Sequence, residues 1–275
     1  MNNITWNSVE EKEMQRVAAY ERVRTKVINR NDFKKASLVI PEGAEFHLPL
    51  TPPGGGIFSL EILQKPSSKL TLEYLQNAKP DEHGMMIITI SLDRDAVLKS
   101  LVGMFGGATS TLFLETNLTG ANSSTHQKTL FFGSGDKTFD MYSTTILSGE
   151  GTNAKIEAKG ILEDSAQARF DGGITIRESA KKSTAKLFEH TLLLSSDAKM
   201  NAIPGLNIET NDVFAQHSAS ITRVDDDQLF YCKSRGIEER EAVRLIAEGF
   251  LKGMYEDAEG KKEIEHLIEE KLCKV

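Results

Sequence analysis

The chain has 275 residues and a mass of 30.4 kDa, enough for one large or two small domains with a hydrophobic core of useful size. Hydrophobic residues make up 39% of it and charged residues 27%, a composition typical of globular proteins rather than disordered ones. Acidic residues outnumber basic ones 40 to 33, for a formal charge of -7. This excess of negative charge argues against nucleic acid as a partner.

Cysteine usage and hydropathy indicate the compartment. Cys232 and Cys273 are far apart and form neither a CxxC motif nor a zinc-ligand spacing, which favours a reducing environment. The amino terminus shows no basic segment followed by an apolar core. The longest uncharged stretch, residues 100–114, is too short and too rich in Gly and Thr to span a bilayer. We therefore expect a cytoplasmic protein without a membrane anchor.

The amino-terminal segment begins with a helix signal. Ser8 and Glu11 form a capping-box pattern, and apolar residues follow at roughly helical spacing among charges. The pattern predicts an amphipathic helix over residues 8–27. We assign residues 1–35 to an N-terminal helical segment.

Residues 36–224 have a different sequence pattern and form the predicted β-rich core. Short runs alternate between apolar and polar residues and are separated by Gly, Ser, Asn and Asp turns, which is typical of β-strands. Many short strands suit either a sandwich or barrel, or a solenoid. Apolar residues recur 18 positions apart at Ile156, Ile174 and Leu192, which favours a solenoid but leaves the other architecture open. One helix is predicted within this region, over residues 94–104.

Residues 225–275 form the predicted C-terminal helical region. Residues 237–255 and 260–273 each place apolar side chains at helical spacing on one face. Such a stripe either packs back on the β-rich core or docks into a partner protein. Its candidate contact residues are Ala242, Leu245, Ile246, Phe250, Ile264, Leu267 and Ile268.

Motifs for self-contained catalysis are missing from the sequence. It contains no GxSxG or HExxH motif, no P-loop lysine and no spaced His/Cys quartet. In the alternating pattern of its predicted strand, His217 falls on the same face as the apolar residues. It is therefore either a hydrogen-bonded core histidine or a neutral metal ligand. Cys232 shares a helical face with Leu229, which is typical of a small buried hydrophobe.

Several segments in the carboxy-terminal half carry a family resemblance. Residues 192–198 (LLLSSDA), 204–209 (PGLNIE), 211–217 (NDVFAQH), 222–231 (TRVDDDQLFY) and 234–239 (SRGIEE) resemble in order and spacing the signature of the SufB/SufD iron-sulfur cluster assembly proteins. The resemblance implies a right-handed parallel β-helix core with helical ends. It also implies a scaffold that pairs through its β-helix and whose C-terminal helices dock the ABC-type ATPase SufC.

The resemblance implies a candidate set of cluster ligands. His217 falls where SufD-like proteins have an implicated histidine, in a His-Gly-Ala-Thr pattern that here reads His217-Ser218-Ala219-Ser220. The SufB-like cysteine and glutamate positions fall on Glu189 and Ser218, so neither SufB residue can be carried over. Thiolates are the usual iron-sulfur ligands, and imidazole or carboxylate substitution gives a more labile site that suits a scaffold releasing its cargo. The expected candidates are His217, Glu189, His190 and Cys232.

From the resemblance we expect a non-catalytic scaffold subunit that carries a transient iron-sulfur cluster. We predict no flavin site, because no residue motif in the sequence supports one. The subunit would pair as a homodimer, or as a heterodimer with a SufB/SufD paralogue. One alternative is a purely structural subunit with no ligands of its own. A further alternative is a β-helix enzyme acting on polysaccharides, because fold alone does not determine function.

Overall fold

The computed structural model describes residues 7–8, 33–51 and 54–273, and the predicted helix over residues 8–27 lies almost wholly outside these ranges. The fold is a parallel β-solenoid of about six turns, as the sequence and its resemblance predict. Its strands are β1 (Asn7–Ser8), β2 (Phe33–Ile40), β3 (Glu45–Leu50), β4 (Gly56–Gln64), β5 (Lys69–Gln76), β6 (His83–Leu92), β7 (Val97–Met104), β8 (Thr109–Leu118), β9 (Ser124–Gly133), β10 (Thr138–Leu147), β11 (Asn153–Leu162), β12 (Gln167–Ile176), β13 (Ser183–Leu193), β14 (Lys199–Ile208) and β15 (Val213–Arg223).

Successive strands alternate between two sheets. Within the described residues, the eight-stranded sheet has the order β1-β2-β4-β6-β8-β10-β12-β14, and the seven-stranded sheet has the order β15-β13-β11-β9-β7-β5-β3. All neighbours are parallel except β1, which pairs with β2 in antiparallel fashion. Thr138 pairs with Gln167, 29 positions further on, and Gln167 pairs with Lys199, 32 positions further on. The 18-residue spacing that favoured a solenoid is therefore not the coil repeat.

The core lies between the two sheets and explains the alternating sequence pattern. In β8 every second residue is buried, from Ser110 to Leu118, because side chains of a strand point alternately to opposite faces. The buried cluster runs the length of the solenoid and includes Leu60, Ile88 and Phe170. Removal of this apolar area from water is the main favourable contribution to folding, at roughly 25 cal/mol per Å².

The helix predicted over residues 94–104 is wrong, because residues 97–104 form strand β7. Its inward residues, such as Leu98 and Val102, enter the solenoid core. Its outward residue Leu101 is also buried, in a second apolar cluster. Burial on both faces removes the alternation by which the neighbouring strands are recognisable.

The strands are followed by three helices within the described part of the chain: α1 (Asp226–Ser234), α2 (Glu239–Lys252) and α3 (Lys261–Leu272). The Asp225 side chain caps α1 by accepting hydrogen bonds from the backbone N–H groups of Asp227 and Gln228, at 2.8 and 3.1 Å. None of the helices in the described ranges is long and apolar enough to cross a membrane.

The second apolar cluster attaches α2 and α3 to the outer face of the seven-stranded sheet. Leu75, Leu101, Leu130 and Phe132 on the sheet meet apolar residues of the two helices. The sequence left two roles for the apolar faces of these helices, packing on the β-rich core or docking to a partner. Most of their apolar side chains pack on the core. The helix residues in this cluster are Ala247, Leu251, Ile264, Leu267, Ile268 and Leu272.

Candidate functional site

The carboxy-terminal end of the solenoid is open. Strands β14 and β15 are the last in their sheets, and no described strand pairs with their outer edges. The last coil therefore exposes residues that neighbouring coils would otherwise cover: Phe214 is 56% exposed and Ile221 46%. Large apolar side chains on unpaired strand edges mark a surface prone to association.

His217 lies in this last coil, on β15. It pairs with Leu187 of β13, and Leu187 is fully buried in the core. His217 thus has the inward register predicted from its parity, but it is exposed. The reason is its place in the fold, since no further coil covers it. An exposed imidazole at an inward position can reach a ligand that approaches the open end.

Glu189 lies one coil inside, on β13, and is fully buried. The Thr191 hydroxyl donates a short hydrogen bond to its Oε1 atom, whereas its Oε2 atom is buried with no hydrogen-bond partner in the described part of the chain. Burial raises the pKa of Glu189 to about 7, against a smaller opposing effect of the Thr191 hydrogen bond. Burial therefore favours the neutral, protonated form of this carboxyl group.

Of the four candidate ligands, the structure brings Glu189 and His217 together. Glu189 pairs with Ala219, two residues after His217, so both side chains project from the same inward face of adjacent strands. Because His217 lies opposite Leu187 rather than Glu189, the two residues are diagonal neighbours whose backbones are about 8 Å apart. Only their side chains, extended towards each other, can contribute to one iron site.

His190 and Cys232 lie elsewhere. His190 is on the outer face of β13, opposite to Glu189, and its Nδ1 atom is 2.7 Å from the Ser220 hydroxyl. Burial, with a smaller contribution from Lys159, lowers the pKa of His190, which keeps its imidazole neutral. Cys232 is partly exposed on α1 rather than buried in a core. Within the described residues, no group of three or more His, Cys, Asp or Glu side chains is placed to hold a metal ion.

The helical region contains a groove between α1 and α2. It has a volume of about 670 Å³ and its lining includes Tyr231, Cys232, Leu245, Ile246 and Phe250. Beside it, on the same helix as Tyr231, the Phe230 ring is 74% exposed. The groove is therefore an accessible apolar surface with aromatic residues at its margin.

The candidate partner-binding residues divide into two sets. Leu245, Ile246 and Phe250 line the groove and are at least partly accessible. The other four are buried, because the helices pack on one another and on the sheet, so they offer no surface to a partner in this arrangement. These are Ala242, Ile264, Leu267 and Ile268.

Three outward charged residues of the seven-stranded sheet hold the helices in place. Buried Glu73 accepts hydrogen bonds from the backbone N–H groups of Glu259 and Gly260, at 2.8 and 2.9 Å, directly before α3. Lys159 and Lys128 donate to backbone carbonyls at the C-terminal end of α2, at 3.1 and 3.3 Å. Negative charge at a helix start and positive charge at a helix end are both favourable. These three contacts were not predicted from the sequence. The one available indication is Glu73, an acidic residue within the apolar stretch of β5.

Comparisons with known proteins agree with this architecture. The family model described as "SUF system FeS cluster assembly, SufBD core domain" matches residues 32–250. The iron-sulfur cluster assembly protein SufD of Bacillus subtilis is 35% identical over 182 residues, which cover 65% of this chain and 42% of the relative. Its counterpart of the same name in Escherichia coli is 29% identical over 171 residues, or 62% and 40% of the two chains.

An archaeal protein of the same family also matches this chain. An iron-sulfur cluster assembly SufBD family protein of Pyrococcus horikoshii is 28% identical over 205 residues, covering 74% of this chain and 46% of the relative. The matched region spans less than half the length of each of these three relatives. Because the family model covers most of the chain, the chain belongs to the SufBD core family of the SUF system for iron-sulfur cluster assembly.

Proposed function

We propose that this protein is a scaffold subunit on which an iron-sulfur cluster is assembled as cargo, at the open end of the solenoid. The observation that carries the proposal is the placement of His217 and Glu189 on one inward face of the last two coils. His217 is accessible, and one carboxylate oxygen of Glu189 has no hydrogen-bond partner among the described residues. Both groups are weaker iron-sulfur ligands than thiolate, which suits a cluster that must be passed on.

Pairing through the solenoid end forms the second part of the proposal. Two ligands from one chain do not complete the coordination of a cluster, so a second solenoid against the open end would bring the remaining ones. The outer edges of β14 and β15 pair with no described strand. Together with exposed Phe214 and Ile221, they supply backbone groups and apolar area for such a contact. A homodimer would place two His217 side chains at a shared interface. A heterodimer with a SufB/SufD paralogue would supply the paralogue's ligands instead.

The third part concerns the ATPase. We assign docking of a SufC-like ABC ATPase to the groove between α1 and α2, because its apolar lining at Leu245, Ile246 and Phe250 is accessible. Exposed aromatic and aliphatic side chains around a concave surface are typical anchors for a partner helix. ATP hydrolysis would belong to that partner, and this chain would perform no catalytic step. Such a complex would work in the cytoplasm.

A structural subunit without ligands of its own is a second candidate. It is favoured by the finding that, in the described residues, no three potential metal ligands converge. In that case the subunit would only join the ATPase to another scaffold. The polysaccharide-active alternative rested on fold alone, and the family match removes its support.

The test is anaerobic reconstitution of the purified protein with iron and sulfide, alone and together with its SufC-like ATPase. The scaffold proposal predicts a visible chromophore and a stable complex with the ATPase. A stable complex that never gains a chromophore would favour the structural subunit. For docking, Leu245→Asp is expected to weaken ATPase co-purification, while Glu241→Gln on the exposed face of α2 serves as the control. Equal retention of the ATPase by both variants would contradict the assignment of the groove.

A further inference from the structure

A groove lies between the outer face of the seven-stranded sheet and the loop that joins α2 to α3. It has a volume of about 230 Å³, below the range of about 300–1,000 Å³ that is typical of pockets for drug-sized ligands. Lys99 and Lys128 belong to its sheet wall, and Asp257 and Glu259 belong to its loop wall. The groove therefore suits a small metabolite rather than a nucleotide or a folded segment of a protein.

Contacts from three different strands hold the two walls of this groove at a fixed separation. Glu73 of β5 accepts hydrogen bonds from two backbone N–H groups of the loop, at 2.8 and 2.9 Å. His47 of β3 lies with its Nδ1 atom 2.8 Å from the Glu259 carboxylate, and the Lys128 ammonium group of β9 donates to the Gly253 carbonyl at 3.3 Å. Because the groove is formed before a ligand arrives, little ordering of the protein opposes binding.

Two charged side chains of the groove take no part in these contacts. His126, also in the lining, is already occupied, since its Nε2 atom lies 2.5 Å from the Glu157 carboxylate. Lys99 and Asp257, by contrast, are exposed, and neither has an ion-pair or hydrogen-bond partner among the residues that the structure describes. Thr71, opposite Lys99 on the adjacent strand, adds a hydroxyl group to the lining. The groove thus retains one cation and one anion for a ligand.

The opposite signs of these two charges narrow the chemistry of the ligand. A simple anion would engage Lys99 but would be repelled by Asp257, and a simple cation would meet the reverse arrangement. A metal ion is a poor match, because no group of three or more His, Cys, Asp or Glu side chains within the described ranges is placed to hold one. Leu101 and Met254 contribute apolar surface between the charged walls. The combination matches a zwitterion with a short apolar side chain.

We propose that this groove binds a free α-amino acid with an apolar side chain. The carboxylate of the amino acid pairs with Lys99, its ammonium group pairs with Asp257, and its side chain lies against Leu101 and Met254. Because Lys99 belongs to the sheet and Asp257 to the loop before α3, the bound amino acid joins the solenoid to the helical region. The site shares no lining residue with the α1–α2 groove and lies on β5, β7 and β9 rather than at the open end, so it goes beyond the proposed function.

The test measures the affinity of the wild-type protein for three related ligands by NMR titration, from the shifts of its backbone amide signals. L-leucine carries both charges, N-acetyl-L-leucine lacks the cation, and L-leucinamide lacks the anion. We expect L-leucine to bind about threefold or more tightly than either analogue, because each analogue loses one of two partly exposed ion pairs. Its affinity should fall as salt is raised. This comparison needs no variant, so it does not depend on the folding of one.

Two variants then assign the charges. Lys99→Gln should weaken binding of L-leucine and N-acetyl-L-leucine by about threefold and leave L-leucinamide unchanged, whereas Asp257→Asn should weaken L-leucine and L-leucinamide and leave N-acetyl-L-leucine unchanged. Lys181→Gln and Glu178→Gln, at exposed positions in the turn after β12, are the matched controls and should change none of the three affinities. The proposal is overturned if L-leucine does not bind, or if either analogue binds as tightly as L-leucine. Unchanged affinities in both groove variants would also overturn it.

Discussion

Replacement of Glu189 by glutamine should stabilise the protein in a strongly pH-dependent way. Glu189 is fully buried, and no residue in the described ranges hydrogen-bonds its Oε2 atom. Burial raises its pKa from an ordinary value of 4.5 to about 7. Between these two pH values the folded chain retains a proton that the unfolded chain releases. The free energy of unfolding of the wild type therefore falls as pH rises from about 4.5 to about 7, and then levels off.

The magnitude follows from the pKa difference. One pKa unit corresponds to 1.36 kcal/mol, so a rise from 4.5 to about 7 corresponds to about 3 kcal/mol at pH 8. Glutamine is nearly isosteric, can still accept the Thr191 hydrogen bond and does not titrate. The advantage of Glu189→Gln over the wild type, measured relative to pH 4.5, should grow to about 3 kcal/mol at pH 8.

Urea unfolding followed by far-UV circular dichroism at several pH values between 4.5 and 8 measures this difference. Glu178→Gln, at an exposed position in the turn after β12, is the control and should follow the wild-type pH dependence. Parallel pH profiles for Glu189→Gln and the wild type would show that Glu189 is not a desolvated acid. The account of its role at the solenoid end would then be wrong.

Two further predictions concern the packing of the solenoid core and the attachment of α3 to the seven-stranded sheet. Gly160→Ala should destabilise the solenoid by about 2 kcal/mol or more, because an added Cβ atom would meet the Phe131 ring at 2.0 Å. Gly173→Ala, whose Cβ atom would meet nothing within 4 Å, is the control for thermal unfolding, and equal effects of both would refute the packing argument. Glu73→Ala should increase amide hydrogen exchange in α3 without changing the solenoid strands, since two backbone N–H groups lose their acceptor. Unchanged exchange in α3, or an equal increase in Glu61→Ala on the other sheet, would contradict the anchoring role of Glu73.

Strands are predictable from the sequence where one face is buried and the other is exposed to solvent, as in β8. The same pattern does not reveal β7, because helices α2 and α3 cover its outer face at Leu101 and remove the alternation. The coil repeat was also missed. Coils differ in length between 24 and 32 residues, so no fixed spacing exists for a sequence comparison to detect.

One feature of the candidate site was predictable from the same alternation of apolar and polar residues. The alternation places His217 on the inward face of its strand, as the pairing with Leu187 confirms. Its exposure depends on where the solenoid ends, which is a property of the whole fold. The burial of Glu189 and the separation of His190 onto the opposite face required the register between β13 and β15. The accessibility of Cys232 required the docked position of the helices.

The measurement that tests the central claim most directly is the iron and sulfide content of the anaerobically reconstituted protein, with its visible absorption spectrum, for the wild type and two histidine variants. His217→Ala removes the accessible imidazole at the open end, and His266→Ala removes an exposed imidazole on α3. The scaffold account predicts that His217→Ala loses most of the bound iron and the chromophore while still binding the ATPase, and that His266→Ala resembles the wild type. Full iron loading and an unchanged spectrum in His217→Ala would contradict the claim that a cluster assembles at the open end of the solenoid through this residue.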